Sequence, residues 1–336
     1  MSPKNKKILQ FVILLALGGL IIWLILKQVS GKKDEIIDAF ENADYFWLAM
    51  SGLISIVGHV LRAYRWNYLL EPMGYRSKFW NANGAVFIGY LANYGLPRMG
   101  ELTRCTVVAK YDGIPFEKAL GTVITERIID FFLLLLVFGL TLLFQFSELI
   151  GLADKYIFSK LKEKLHVFID KPILGIALAI VGLICVAALF YFRKKIKSKL
   201  TGKFGNAIKG FGGGIASVKQ TRNKGMFVLI SISIWFTYLL GLYFGFFAFK
   251  ETSHLGFSEG LVLLLFATFG VIFTPGGIGA YQWIVMNVLM YYAVSDVAGF
   301  AYGWAVWTTQ LAVIVVLGLT SLIVLPLYNK EKNVAK

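Results

Sequence analysis

Residues 82–104 read ANGAVFIGYLANYGLPRMGELTR. An apolar run, about 82–97, is stopped by Pro97 and Gly100, and Arg98, Glu101 and Arg104 stand directly at the break. Proline removes a backbone N–H and glycine loosens a helix, so backbone polar groups are set free here. In hydrocarbon such groups are tolerated only against protein or a wet cavity. Charged side chains at that depth are expensive and mark polar pathways. Arg98 and Arg104 suit bidentate hydrogen bonds to a phosphate. Glu101 can pair with either arginine or with a cationic headgroup.

This reading requires a membrane protein, and composition supplies one. The 336 residues are 57% hydrophobic and 16% charged, with a mean hydropathy of +0.69. A soluble domain carries more charge. Apolar runs at about 8–26, 45–61, 118–146, 172–192, 226–249 and 300–326 approach or pass the ~20 residues needed to cross a bilayer. Long runs rather than short alternating ones exclude a β-barrel. The expected fold is all-α: a polytopic membrane protein, residues 1–336 forming one integral membrane domain. It has about six full transmembrane helices plus two broken, re-entrant segments. The N-terminal run is too long for a signal peptide and is read as a retained span.

The second broken segment, about 260–293, is cut by Thr274-Pro275-Gly276-Gly277-Ile278-Gly279. The segment 193–224 carries ten Lys and Arg residues and no acid, which assigns it to the cytoplasm. Both termini fall on that side if each broken segment returns to the face it entered. The first then enters from the cytoplasm and the second from outside, a pattern of inverted-repeat transporters, although no sequence repeat is visible. Two tilted spans in place of the second hairpin preserve the same orientation. The basic loop, 193–225, repeats apolar residues at steps of three or four from Ile196 to Val218. This suggests a helix on the anionic inner leaflet, though its glycines also suit a flexible basic loop. The net charge of +15 therefore belongs mostly to cytoplasmic loops, and no nucleic-acid partner is expected.

Three further groups carry candidate chemistry. Arg62 and Arg65 end the second span, and with Tyr64, Trp66 and Tyr68 they resemble an interfacial aromatic belt with arginines at headgroup level. Glu126 and Asp130, four apart with Arg127 between them, share a helix face. Facing one cavity they would raise each other's pKa and suit proton coupling; an ion-pair network is the alternative. Pro275 to Gln282 presents a helix N-terminus, which attracts anions, with Gly276 and Gly277 permitting close approach. The histidines are scattered, Cys105 and Cys185 lack metal-ligand spacing, and no nucleotide loop or nucleophile elbow appears. No cofactor, metal or catalytic set is expected.

Arg62-x-x-Arg65-Trp66, Asn93-x-x-x-Pro97-Arg98-x-Gly100-Glu101-x-x-Arg104, Glu126-Arg127-x-x-Asp130 and Pro275-Gly276-Gly277-Ile278-Gly279 together resemble the lysylphosphatidylglycerol synthase transmembrane-region family. The resemblance covers nearly the whole chain. It implies a lipid-handling, flippase-type membrane domain, and with the chain ending at Lys336 it implies a stand-alone member without the synthase domain. The expectation is therefore a lipid translocator of the cytoplasmic membrane, not an enzyme. Its partners are an anionic or aminoacylated phospholipid or a polyprenyl-phosphate lipid, with a second copy or a partner synthase left open. The expected substrate-binding residues are Arg62, Arg65, Asn93, Arg98, Glu101, Arg104, Glu126, Arg127, Asp130, Gly276, Gly277 and Gln282. A membrane subunit or enzyme of headgroup modification, or a scaffold for a lipid-synthesis complex, is the alternative.

Overall fold

The computed structural model describes residues 19, 23, 27, 31–95, 99–155, 221 and 223–334. Nearly all of the expected span 8–26, the whole of 172–192, the basic segment up to residue 220, and Pro97 with Arg98 lie outside the described residues. Among those described, all regular structure is helical. The elements are α1 (Lys33–Glu41), α2 (Tyr45–Leu70), α3 (Phe79–Gly95), α4 (Gly100–Asp112), α5 (Phe116–Phe144), α6 (Phe146–Ala153), α7 (Lys224–Phe246), α8 (Phe257–Phe273), α9 (Ala280–Tyr291) and α10 (Asp296–Val334).

Among the described residues four stretches are long and apolar enough to cross a membrane: Tyr45–Met73, Phe116–Phe144, Lys224–Phe246 and Asp296–Lys330. They answer the spans expected at 45–61, 118–146, 226–249 and 300–326. The helix of the first runs on to Leu70 and so carries both arginines within it. Asp44 starts α2 by accepting the Phe46 N–H at 3.0 Å, the ordinary chemistry of an aspartate N-cap. The mixed-charge segment before it is partly helical, as α1.

Both broken segments fold as helical hairpins. The backbones of α3 and α4 nearly touch: a Cβ on Gly89 would lie 2.6 Å from the Gly100 carbonyl oxygen. Asn93 Oδ1 accepts the Gly100 N–H at 2.7 Å and so satisfies the start of α4. In the second hairpin a Cβ on Gly270 would lie 2.7 Å from the Tyr281 Cα. At 1.5 Å per residue α8 is about 25 Å long and α9 about 18 Å, both short of a ~30 Å hydrocarbon core.

Helix α10 is the spine on which the hairpins lie end to end. Asn81 and Asn329 exchange side-chain hydrogen bonds of 3.2 and 2.9 Å at one end. Gly84 faces Leu325 and Gly318 faces Leu91 further along. Beyond these, the Trp307 indole donates to the Gly276 carbonyl at 2.8 Å, Gly303 meets Gln282, and Gly299 meets Met286. The tips therefore meet near Trp307, whose ring centroid is 6.2 Å from that of Tyr94.

The two hairpin bases lie at opposite ends of the molecule. Asn67, near the end of α2, is bonded to Ser77 at the base of the first hairpin. At the other end Asp44 is bonded to Ala248, Glu251 to Ser295, and Lys32 to Asp296. The charge-based orientation assigns the first base to the cytoplasm. The described elements thus repeat as long helix, hairpin, long helix, with direction reversed. Helices α2 and α7, the first of each set, run antiparallel, Ser51 Oγ donating to the Gly241 carbonyl at 2.7 Å. One apolar core lies around Phe246, Leu263, Leu289 and Tyr302. A second, around Trp66, Ala85, Cys105 and Val123, supports the charged cluster.

Candidate functional site

Arg62 and Arg65 lie three apart on α2 and project from one face. Asp130 of α5 receives both: its Oδ2 is 3.0 Å from Arg62 Nη1 and its Oδ1 is 2.9 Å from Arg65 Nη2. One turn earlier, Glu126 lies between Arg104 Nη1 at 2.8 Å and Arg65 Nε at 3.6 Å. Arg127 and Glu101 form an outer pair at 3.0 Å. Four helices meet here, because α7 adds the Tyr238 hydroxyl, which accepts from Arg62 at 2.7 Å, and Ser231, which accepts from Arg65 at 3.4 Å.

Burial decides the character of the cluster. Arg65 is 0% exposed, Glu126 1%, Arg62 4% and Arg104 5%, whereas the Arg127 side chain is 48% exposed and that of Glu101 28%. Arg104 lies over the Trp66 ring, 3.8 Å from its centroid, and Trp66 Nε1 donates to Thr122 Oγ1 at 2.7 Å. Arginine keeps its charge under all ordinary conditions. Three inner guanidiniums therefore face two carboxylates, Glu126 and Asp130, leaving one positive charge in excess. Arg62 Nε, Arg65 Nε, and both Nε and Nη2 of Arg104 are buried with no hydrogen-bond partner among the described residues, as is Glu126 Oε1, which faces Arg65 Nε at 3.6 Å. Buried donors without acceptors are costly, so the donors of Arg62 and Arg104 mark where an anion would be welcome.

One expectation is corrected by this geometry, and of the two readings of Glu126 and Asp130 the ion-pair network is the one found. Trp66 is 0% exposed and belongs to the cluster rather than to an interfacial belt, because its face of α2 meets α5. Tyr64 does face outward, 45% exposed, paired edge-on with Tyr68. Glu126 and Asp130 do not share one cavity as a mutually repelling pair. Each is held between arginines, which is the ion-pair arrangement.

The remaining expected residues form a second group at the hairpin tips, and no hydrogen bond or ion pair joins them to the cluster among the described residues. Asn93 caps α4. Gly276 and Gly277 take positive φ values of 62° and 78° in the turn. Gln282 is 0% exposed, its Oε1 accepting the Gly279 N–H at 2.8 Å while its Nε2 has no partner. Arg98 lies outside the described residues.

Residues not singled out beforehand lie between the two groups. His59 is one turn before Arg62, its ring 4.7 Å from that of Tyr90. Its Nε2 is 3.3 Å from Ser55 Oγ, and Ser55 donates to Gln310, one turn along α10 from Trp307. Ser55, His59 and Arg62 are spaced at four and three along α2, the signal that would have disclosed a polar face. Among the described residues no group of three His, Cys, Asp or Glu side chains is placed to hold a metal.

Comparison with known proteins bears on the same residues. UPF0104 membrane protein MJ1595 of Methanocaldococcus jannaschii is 27% identical over 177 residues, which is 50% of this chain and 52% of that protein. Glycosyltransferase AglD of Haloferax volcanii is 30% identical over 111 residues, 33% of this chain and 18% of that protein. The chain thus spans about half the length of the first relative and under a fifth of the second. No solved structure gives a significant match. The family model described as "Lysylphosphatidylglycerol synthase TM region" matches residues 8–319. With nearly all of its length matched, this multi-pass membrane protein belongs to the lysylphosphatidylglycerol synthase transmembrane-region family.

Proposed function

We propose that the chain translocates an anionic lipid, a phospholipid or a polyprenyl-phosphate-linked lipid, across the cytoplasmic membrane. The observation that carries this reading is the buried excess of one guanidinium with unpartnered N–H groups on Arg62 and Arg104. A lipid phosphate supplies the missing charge and the missing acceptors together. Arg104 and Arg62 then hold the phosphate. Glu126 and Asp130 keep the guanidiniums apart and oriented, as does Arg65 from between them. Arg98 sits at the same hairpin break in sequence and joins the phosphate site. The outer pair of Glu101 and Arg127 covers the entrance, and Glu101 takes a cationic or hydroxylated headgroup when it opens.

Hairpins inserted from opposite ends and meeting tip to tip support alternating exposure of one site to two sides. In this reading the contact of Tyr94, Gly276 and Trp307 serves as the closed gate between the halves. Drive comes from an ion gradient, the membrane potential or downhill lipid flux.

The test is a flux measurement in proteoliposomes of phosphatidylcholine doped with headgroup-labelled phosphatidylglycerol, the label being quenched from outside. Flux well above that of protein-free vesicles, lost in Arg104→Gln and Arg98→Ala with folding intact, is the expected result. Wild-type flux in both variants removes the site. A second reading rests on the relative named as a glycosyltransferase, which carries a region like this one within a longer protein. In that reading the chain serves as the membrane part of an enzyme that modifies a lipid headgroup. Headgroup-transfer products without flux would favour it.

A further inference from the structure

The polar face of α2 continues past the charged cluster into the molecule. Ser51, Ser55, His59 and Arg62 follow one another at steps of four, four and three, and all four are buried. His59 is 7% exposed. An ionisable side chain within a membrane span is expensive, and such groups mark ion and proton pathways.

The hydrogen bonds show which of its nitrogens carries hydrogen. Ser55 has one hydroxyl hydrogen and gives it to Gln310 Oε1. Its oxygen is therefore the acceptor in the 3.3 Å contact with His59 Nε2, which makes Nε2 the N–H of the ring. Nδ1 is buried and has no hydrogen-bond partner among the described residues. A hydrogen on it would be a buried donor without an acceptor, on a charged ring. Nδ1 is thus a bare lone pair, a buried base to which nothing donates. No headgroup reaches an atom so enclosed. A proton occupies no volume and arrives by exchange along hydrogen bonds.

The surroundings make this base responsive to the cluster. Arg62, one turn away, is the charge that bears on it. Among the described residues the other titratable groups around the pair are Tyr90 of α3, Tyr238 of α7, and Asp130 and Glu126 of α5 on the far side of Arg62. Helix α10 contributes the uncharged Gln310. While the cluster holds one guanidinium in excess, Arg62 repels a second cation at His59. A phosphate on Arg62 cancels that charge and turns repulsion into attraction. The rings of Tyr90 and Phe87, 4.7 and 5.6 Å away, are within the range at which aromatic faces favour a cation.

We infer that His59 is the proton site of the translocator. Its Nδ1 lone pair takes a proton from water when an anionic lipid phosphate reaches Arg62, and returns it to water when the phosphate leaves. This names the coupling ion and rests on the translocation reading for its cargo. Glu126 and Asp130, held by arginines, carry no coupling proton. One phosphodiester and one proton together bear no net charge. A pH difference therefore drives the lipid toward the alkaline side, and the membrane potential does not drive it.

The test titrates a short-chain phosphatidylglycerol calorimetrically into the full chain in neutral detergent, in two buffers of different ionisation enthalpy. The two heats give the protons taken up per lipid bound. Between about pH 6 and 8 a histidine titrates and a phosphodiester does not. Wild type is expected to take up a proton on binding and to bind about tenfold more tightly at the acid end, within the tenfold per pH unit that one proton allows. His59→Gln is expected to take up none and to keep, at both ends, the affinity that wild type shows at the alkaline end. In His166→Gln with His254→Gln, His59 is the last of the three histidines, and uptake is expected to persist. Binding by wild type without uptake overturns the inference and leaves the translocation reading intact. Uptake that survives in His59→Gln, or vanishes in the double variant, overturns it too. The double variant decides if His59→Gln fails to fold, since His254 is exposed. Absence of both binding and flux removes the translocation reading itself, and this inference with it. In proteoliposomes, flux is expected to follow an imposed pH difference and to ignore a potassium diffusion potential. Flux that follows the potential alone overturns the pairing of proton and phosphate.

Discussion

Arg65, with no solvent exposure, places its Nη2 2.9 Å from Asp130 Oδ1 in the middle of a helix bundle. The same carboxylate also holds Arg62 at 3.0 Å. Removing it leaves two buried guanidiniums short of an acceptor, and breaking a buried pair from one side costs about 3–5 kcal/mol. Asp130→Asn should therefore lower the thermal midpoint in detergent sharply. Arg127→Gln, whose partner pair is half exposed, should lower it little, since exposed pairs contribute ~0–1 kcal/mol. Thermal unfolding of both variants by intrinsic fluorescence checks the contrast.

Arg104 separates binding from stability. Its guanidinium is stacked on Trp66 and gives only Nη1 to Glu126, so its other nitrogens have no partner of their own and are the ones the proposed phosphate would take. Arg104→Lys keeps the charge but loses the fork and the stacking geometry. Lipid flux should fall at least tenfold while the protein still inserts and folds. Trp66→Phe should retain flux, because an aromatic face remains. It should lose about 1 kcal/mol of stability with the hydrogen bond to Thr122. Flux and unfolding measured on the same preparations distinguish the two outcomes.

At the hairpin tips, Gly276 is required twice over. Its φ is 62°, and a Cβ there would lie 2.6 Å from Tyr94 Cδ1. Gly276→Ala should thus weaken the tip contact through both conformation and collision. The left-handed conformation alone costs roughly 1–2 kcal/mol for a residue with a Cβ. Adding Tyr94→Ala should restore only the part due to collision. A double-mutant cycle on thermal stability measures that part directly, and full additivity of the two changes would refute the contact.

Much of this was legible in the residues, because expensive features cannot be accidental in hydrocarbon. Pro97 with Gly100, and Pro275 with its glycines, announced two breaks, and both are hairpin tips. Arg62, Arg65, Arg104, Glu126 and Asp130 announced a polar site, and they meet. What escaped was orientation around each helix. Apolar residues surround α2 on nearly every side, so periodicity did not tell that Trp66 faces α5 while Tyr64 faces outward. His59 looked solitary because its ring partners, Phe87 and Tyr90, lie on α3, and its neighbour Ser55 bonds to Gln310 on α10, all far away in sequence. The inverted repetition was expected from the two opposed breaks but had no sequence repeat behind it, because it resides in backbone course and helix order. The halves place a charged Arg-Met-Gly-Glu after one proline and Gly-Gly-Ile-Gly after the other, so no residue match betrays it.

The base of the first hairpin provides a built-in reporter. Asn81 and Asn329 exchange two hydrogen bonds, and Asn81 also donates to Asp112 at 2.7 Å. This ties α3, α4 and the end of α10 together. Cys105 lies on α4 within the core those bonds enclose and is 0% exposed. Asn329→Leu removes the tie between the hairpin and α10 while leaving the one within the hairpin. It also leaves Asn81 Oδ1 without its donor, a cost of about 1–3 kcal/mol when buried. If the hairpin moves as a unit against α10, that loss should populate open states and raise the rate at which Cys105 reacts with a small thiol reagent. On a Cys185→Ala background, where Cys105 is the sole thiol, the rate should rise by one to two orders of magnitude, about what 1–3 kcal/mol is worth. An unchanged rate with a lowered thermal midpoint would mean that the pair stabilises the bundle without governing the hairpin.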